Sequence, residues 1–255
     1  MKRILTAAAL IPIVVYVVLW ANFWVFFAVL AAVAFLCYRE FEVLTEAYGF
    51  GAPGSLGYGA GLLLLVWSQE TWLLILGLAL ILMAAAIRGD DLKKSLPRAA
   101  VMLAGLVYIF GSWKCAMPLR EIDPHWLMYA LLVNWAGDMG AYYVGRRWGR
   151  HKMAPRISPQ KSWEGALASV AASVLIAGAY LLRFVPWIAV APVVALTVAA
   201  NAAGQIGDLT ESALKRGAGL KDSGTMLPGH GGFLDRVDST LFSLPLIYAY
   251  LKLAG

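Results

Sequence analysis

The chain has 255 residues, 61% hydrophobic and 14% charged, with a formal charge of +6. A soluble domain dresses its surface with about a quarter charged residues, so this composition excludes an ordinary soluble protein and places the chain in a membrane. At roughly 20 residues per spanning helix there is room for about ten spans and little else, so its activity lies in the bilayer or at its surface. The positive charge, which in a soluble protein would suggest nucleic acid, reads here as positive-inside orientation, and no nucleic-acid partner is expected. Cys37 and Cys115 sit inside apolar stretches and suggest neither a disulfide framework nor a thiolate metal site.

Apolar segments follow one another at residues 4–20, 23–44, 56–68, 71–87, 99–117, 125–145, 163–182, 186–206 and 237–253. Lys2 and Arg3 ahead of the first mimic a signal peptide. Asn22 leads straight into another apolar run without a small-residue cleavage site, so an uncleaved first span is expected. The third segment is short and glycine-rich, which leaves a tilted or half-spanning helix open. With the N-terminus in the cytoplasm, all lysines and arginines except Lys114, Arg120, Arg183 and Lys252 fall on the cytoplasmic side. The expected fold is an all-α polytopic membrane protein of about nine transmembrane helices, N-terminus cytoplasmic and C-terminus outside.

Two cytoplasmic loops stand apart. Residues 146–162 hold Arg146, Arg147, Arg150, Lys152, Arg156, Lys161 and His151 with no acidic residue. That composition suits a polyanion such as phosphates or acidic head groups, and it also suits an orientation signal. Residues 215–236 are mixed in charge and rich in glycine, which orientation alone does not require.

Inside the spans, Asn134 and Asp138 share a helix face that Ala141 and Gly145 continue. Asn201, Gln205, Asp208, Ser212 and Lys215 follow a 4-3-4-3 spacing, one polar stripe running out of the membrane into the glycine-rich loop. Ionisable groups at membrane depth are costly and mark a pathway or a site, unless a buried Asp–Lys or Asp–Arg pair merely joins helices. Asp235 and Asp238 lie three apart at the entrance to the last segment, and Asp222 precedes them. Carboxylates beside lysines and arginines at a membrane surface point to a hard divalent cation flanked by phosphate-binding groups. Zinc is not expected, because His125, His151 and His230 show no helical pairing. Gly49 to Gly54 satisfies G-x-G-x-x-G but joins apolar helices and contains Pro53. Gly219 to Gly224 has Walker-like spacing with Thr225 where the lysine should stand, so neither is a nucleotide loop.

The run Ser212-Ala213-Leu214-Lys215-Arg216, then Lys221-Asp222, then Leu227-Pro228-Gly229-His230-Gly231-Gly232-Phe233-Leu234-Asp235-Arg236-Val237-Asp238, closely resembles the signature of the phosphatidate cytidylyltransferases, or CDP-diacylglycerol synthases. Further matches run from Gly137 to Tyr142, Ser158 to Gly165 and Gly207 to Ser212, with Gln160 a departure where a small or basic residue is expected. The resemblance implies a bacterial inner-membrane enzyme with its active site on the cytoplasmic side. The resemblance also implies a homodimer of all-helical protomers with a polar cavity open to the cytoplasm and laterally to lipid. The implied reaction joins CTP and phosphatidate, with Mg2+ alone or with a second cation, to give CDP-diacylglycerol and pyrophosphate.

The same resemblance assigns the metal to Asp208 and Asp235, and surrounds them with Lys215, Lys221, Asp222, Arg236 and Asp238 as catalytic residues. It puts Asp138, Lys161, Ser162, Glu164, Glu211, Ser212, Arg216, His230, Gly231 and Gly232 at the substrates. Residues 1–122 would then form an N-terminal set of about five spans, and residues 123–255 the catalytic membrane region. The physics suits this reading. Attack by a lipid phosphate on the α-phosphorus of CTP brings two polyanions together, so cations must bridge them, while a nucleophile already ionised needs no general base. A secondary transporter carrying cations on Asp138 and Asp208 is the alternative from another class. The lack of an internal repeat and the gathering of polar residues on one membrane face weigh against it. The pattern of the CDP-alcohol phosphotransferases, D-G-x-x-A-R with a later D-x-x-x-D, is absent.

Overall fold

A computed structural model describes residues 2–51, 54–67, 71–87, 91–226 and 231–254. Each apolar segment contains a helix. The first four give α1 (Lys2–Leu19), α2 (Phe23–Ala47), α3 (Gly54–Val66) and α4 (Thr71–Ala86). The fifth lies in a helical run built from α5 (Ser95–Gly105), a π-helical stretch (Leu106–Gly111), α6 (Ser112–Lys114) and α7 (Ala116–Ile122). Then come α8 (Pro124–Trp148), α9 (Trp163–Ser173), a second π-helical stretch (Val174–Gly178), α10 (Ala179–Phe184), α11 (Val190–Gly217) and α12 (Leu234–Ala254).

Among the described residues, Phe23–Ala47, Leu92–Ile122, Trp163–Phe184 and Val190–Gly217 are long and apolar enough to cross a membrane. Leu10–Leu19, Gly54–Val66 and Leu73–Ala86 are shorter apolar helices. Trp24, Leu80, Leu167 and Leu175 lie on the outer surface, whereas Asn134, Ser173, Thr197 and Asn201 are buried. Apolar outside and polar within is the pattern of a protein solvated by lipid.

The chain is not purely α-helical. Strands β1 (Lys152–Ala154) and β2 (Ser158–Ser162) form an antiparallel ribbon pairing Lys152 with Ser162 and Ala154 with Ser158. Pro155, Pro159 and the scattered charges hide any alternation, so periodicity carries no strand signal there. The ribbon's base is closed by Trp163 N–H donating to His151 O at 2.9 Å, and by Glu164 accepting from the His151 backbone at 3.2 Å.

The chain folds as two compact units interleaved in sequence. One comprises Met1–Thr6, Phe23–Lys114 and Leu214–Arg236; the other comprises Ala7–Asn22, Cys115–Ala213 and Val237–Gly255. The first unit is centred on aromatic packing of Tyr38 with Phe41, Tyr58 and Phe110. Gly105 admits this cluster, because a Cβ there would stand 2.7 Å from the Phe41 ring. Lys114 donates to the carbonyls of Leu65 and Trp67, closing the C-terminal end of α3. In the second unit Arg120 does the same for α1 through Val18 and Ala21. These two cations, exceptions to the charge bias, have structural work as helix caps.

Within the second unit α8 packs on α9 through small residues at spacings of four, Gly137, Ala141 and Gly145 against Gly165, Ser169 and Ser173. A Cβ on Gly140 would meet the Ala168 carbonyl at 2.6 Å. Asp123 caps α8 at the His125 N–H with Pro124 in the first turn, and Ser162 caps α9 at the Gly165 N–H. The end of α8, where the Gly149 N–H reaches Gly145 O at 3.1 Å, and the Ser162 cap of α9 bracket the ribbon between them.

Candidate active site

The second unit encloses a cavity of about 710 Å3 lined by α8, the ribbon, α9, α11 and Ser239 of α12. Its wall carries both signs of charge: Asp138 and Asp208 against Arg146, Lys152 and Lys161. Lys161 on β2 meets Asp208 on α11 at 2.6 Å. Arg146 donates to the Tyr142 hydroxyl at 2.8 Å, and among the described residues no carboxylate stands within ion-pair distance of Arg146 or Lys152. A cavity with surplus cations on one side suits a polyanion.

The floor is amide and hydroxyl. Asn134 donates to Ala130 O at 3.0 Å and Ser243 Oγ at 2.8 Å. Asn201 donates to Ser169 and Ser173, both at 2.9 Å, and Gln205 donates to Asn201 Oδ1 at 2.6 Å. The first four residues of the stripe form one built feature: Asn201 and Gln205 line the floor, Asp208 the wall, and Ser212 donates to Asp208 at 3.4 Å, while the fifth, Lys215, belongs to the first unit.

Beside this wall Glu211 is fully buried and Asp238 nearly so; Asp238 accepts from the Ser239 N–H at 2.6 Å. Asp238 lies in the fields of Asp208, Glu211 and Asp138, four carboxylates from three helices. Carboxyl groups crowded together in this way offer the hard oxygen donors that a divalent cation takes. Among the described residues no three His, Cys, Asp or Glu side chains are gathered closely enough to hold a metal by themselves. Substrate phosphates would have to complete the coordination, as is usual for Mg2+. Ser162 lines the cavity. Glu164 instead points to His151, whose Nδ1 is 2.6 Å away, and so holds the ribbon.

The remaining sequence-assigned residues belong to the first unit. Lys215 is buried and ion-paired to Asp235 Oδ1. Asp235 Oδ2 accepts from the N–H groups of Ser223 at 3.0 Å and Gly232 at 2.8 Å. Asp235 precedes the apolar run of α12. Burial opposes its charge, but Lys215 and the two N–H groups outweigh burial and hold the carboxyl below the usual carboxylate range. Gly231 has φ of 78°, and a Cβ there would lie 2.6 Å from Asp235 Oδ2. Arg216 donates to Leu220 O at 2.9 Å, while Lys221, Asp222 and Arg236 are exposed. His230, with Leu227, Pro228 and Gly229 of the signature, lies outside the described residues.

Sequence reasoning did not single out Arg146 and Lys152 as individuals, because a basic loop gives no hint which cations turn inward. It also passed over Glu40 on α2. This buried carboxylate accepts from Ser223 Oγ at 2.8 Å, Phe233 N at 2.9 Å and Leu234 N at 2.8 Å. Its signal was available, an acid inside an apolar segment.

The profile described as "Cytidylyltransferase family" matches residues 1–254. The phosphatidate cytidylyltransferase of Staphylococcus saprophyticus is 34% identical over 223 residues, covering 84% of this chain and 85% of that protein. The enzyme of the same name from Staphylococcus haemolyticus is 42% identical over 150 residues, 58% of this chain and 57% of the relative. That of Bacillus subtilis is 39% identical over 150 residues, 58% and 56% of the two chains.

Proposed function

The chain belongs to the cytidylyltransferase family, and on that premise we infer that it is an integral membrane enzyme transferring CMP from CTP to phosphatidate, with CDP-diacylglycerol and pyrophosphate as products. The family match along the whole chain carries this reading, and the cavity with acidic and basic walls supports it.

The residues divide the work by charge. Arg146 and Lys152 take up phosphate oxygens at the cavity wall, Arg with a planar fork and Lys as a point charge. Lys161 exchanges Asp208 for the triphosphate when CTP enters. Ser162 offers a hydroxyl beside it, and Asp138, Glu211 and Ser212 orient the groups around Asp208. In the glycine-rich loop, Lys221, Arg216 and Arg236 draw in the outer phosphates, Gly231 and Gly232 give the backbone room to turn close to them, and Asp222 balances the local charge, while Asp238 stands beside the cavity wall. Asp208 and Asp235 are the carboxylates for Mg2+, alone or with a second cation. In the free chain each is neutralised by a lysine, Lys161 or Lys215. Bound Mg2+ supplies Lewis-acid polarisation of the α-phosphate and positive charge for the departing pyrophosphate. The lipid phosphate attacks in line, already ionised, so positioning and electrostatics provide the acceleration.

About nine spans with a cytoplasmic N-terminus put the site on the inner face of the bacterial plasma membrane. Within the first unit, the end of α2 meets the end of α11 where Tyr48 OH donates to Leu214 O at 2.9 Å, as this topology requires. A homodimer completes the proposal.

The test is a label-position assay with purified protein, phosphatidate micelles and CTP carrying 32P at either the α or the γ position. Label from the α position should enter lipid and label from the γ position should leave in pyrophosphate, both only with Mg2+. Transfer of γ label to lipid would mean a phosphotransferase, and no transfer of either would remove the activity.

A further inference from the structure

Glu40 sits on α2, far in sequence from the signature, yet it is only 3% exposed, and among the described residues its side-chain hydrogen bonds go to the glycine-rich loop. One oxygen accepts from Ser223 Oγ and Leu234 N–H, the other from Phe233 N–H. Phe233 and Leu234 open α12, so the carboxylate faces the positive end of that helix, where a negative charge is stabilised. Ser223 is the shared element: its hydroxyl goes to Glu40 at 2.8 Å and its N–H to Asp235 Oδ2 at 3.0 Å. Gly232 repeats the arrangement. Its N–H donates to Asp235 at 2.8 Å, and a Cβ there would collide with Glu40. At Gly224 a Cβ would stand 2.5 Å from Glu40 Oε1, with all three nearest atoms belonging to Glu40. The loop is thus wrapped so closely around one carboxylate that two of its glycines have no room for a side chain.

We propose that Glu40 is a positioning residue for catalysis: by clamping Ser223 and the first turn of α12 from α2, it fixes Asp235 in the orientation that the metal and phosphates need. The inference rests on the cytidylyltransferase reading for its catalytic part and on the loop geometry for the rest. It makes the second apolar helix part of the active-site machinery. It also explains the glycines at 224 and 232 as space for the carboxylate rather than as slack in the loop. Outer partners of metal-binding groups typically change metal affinity or activity by about ten- to a hundredfold when removed.

The experiment uses the full chain in detergent with four variants: Glu40→Gln, Glu40→Asp, Gly224→Ala, and the last two combined. The first readout needs neither metal nor substrate. Tryptic cleavage after the exposed Arg216 and Lys221 should quicken about fivefold in Glu40→Gln, because Gln has one acceptor oxygen where the loop presents three donors. The second is kinetic. In Glu40→Gln, kcat should fall and half-saturating Mg2+ should rise by about tenfold, with the KM for CTP nearly unchanged. Gly224→Ala should reproduce both effects, and Glu40→Asp in that background should partly restore them, because the shorter acid retreats from the added methyl. Wild-type cleavage and wild-type Mg2+ dependence in Glu40→Gln would overturn the proposal. So would a double variant no better than Gly224→Ala alone. If the wild-type chain makes no CDP-diacylglycerol, the functional reading is what fails, and the cleavage rates still decide whether Glu40 holds the loop.

Discussion

The glycine-rich loop of the first unit and the cavity of the second treat charge in opposite ways. In the loop, Glu40 and Asp235 are buried and met on nearly every side by N–H groups, a hydroxyl or Lys215. In the cavity, Lys161 and Asp208 remain about a quarter to a third exposed, Arg146 and Lys152 line the open side, and Glu211 and Asp238 crowd further carboxyl groups behind the wall. The first arrangement is finished before any ligand arrives. The second is poised to exchange internal pairs for external ones. Preorganised groups are costly to disturb, whereas loosely paired ones are free to act on a substrate, and a two-substrate phosphate chemistry uses both.

The sharpest way to break this contrast is to neutralise one carboxylate in each region. Asp235→Asn and Asp208→Asn should each lower kcat by about a hundredfold or more, measured as CDP-diacylglycerol formed. Their stabilities should part. Asp235→Asn removes the carboxylate from a buried ion pair and should destabilise by on the order of 3 kcal/mol. Asp208→Asn breaks a partly solvated pair and should change thermal unfolding in detergent by less than about 1 kcal/mol. Equal melting of the two variants would erase the distinction.

A smaller effect probes the scaffold of the cavity alone. Gly140→Ala pushes a methyl onto the Ala168 carbonyl and should destabilise by about 1–3 kcal/mol while leaving the KM values of the surviving enzyme near wild type. Smaller still, Lys161→Ala should raise the KM for CTP by about tenfold, equivalent to about 1.4 kcal/mol, with a lesser change in kcat. An unchanged KM would detach Lys161 from the nucleotide.

Much of the cavity was legible because it is periodic. The spacing of Asn201, Gln205, Asp208 and Ser212 on one helix, and of Asn134 and Asp138 on another, places them on faces before any tertiary information enters, and the folded chain brings both faces to one cavity. The apolar segments were legible from their length and uniform composition. The ribbon was not: eleven residues with two prolines form strands because the end of α8 and the capped start of α9 hold both ends. Nor were the π-helical stretches at Leu106–Gly111 and Val174–Gly178, since one extra residue in a uniformly apolar run changes no pattern. Glu40 escaped because its neighbours Arg39 and Glu42 make it look like the charged end of a span, while its partners lie more than 180 residues away.

The central claim is that Asp208 and Asp235 hold divalent metal where CTP and phosphatidate meet. Anomalous diffraction from crystals soaked with Mn2+ and a non-hydrolysable CTP analogue tests it most directly. The account predicts an anomalous peak within coordination distance of both carboxylates and of the α-phosphate. A peak bound elsewhere, with Lys161 and Lys215 still paired to these aspartates, would contradict it.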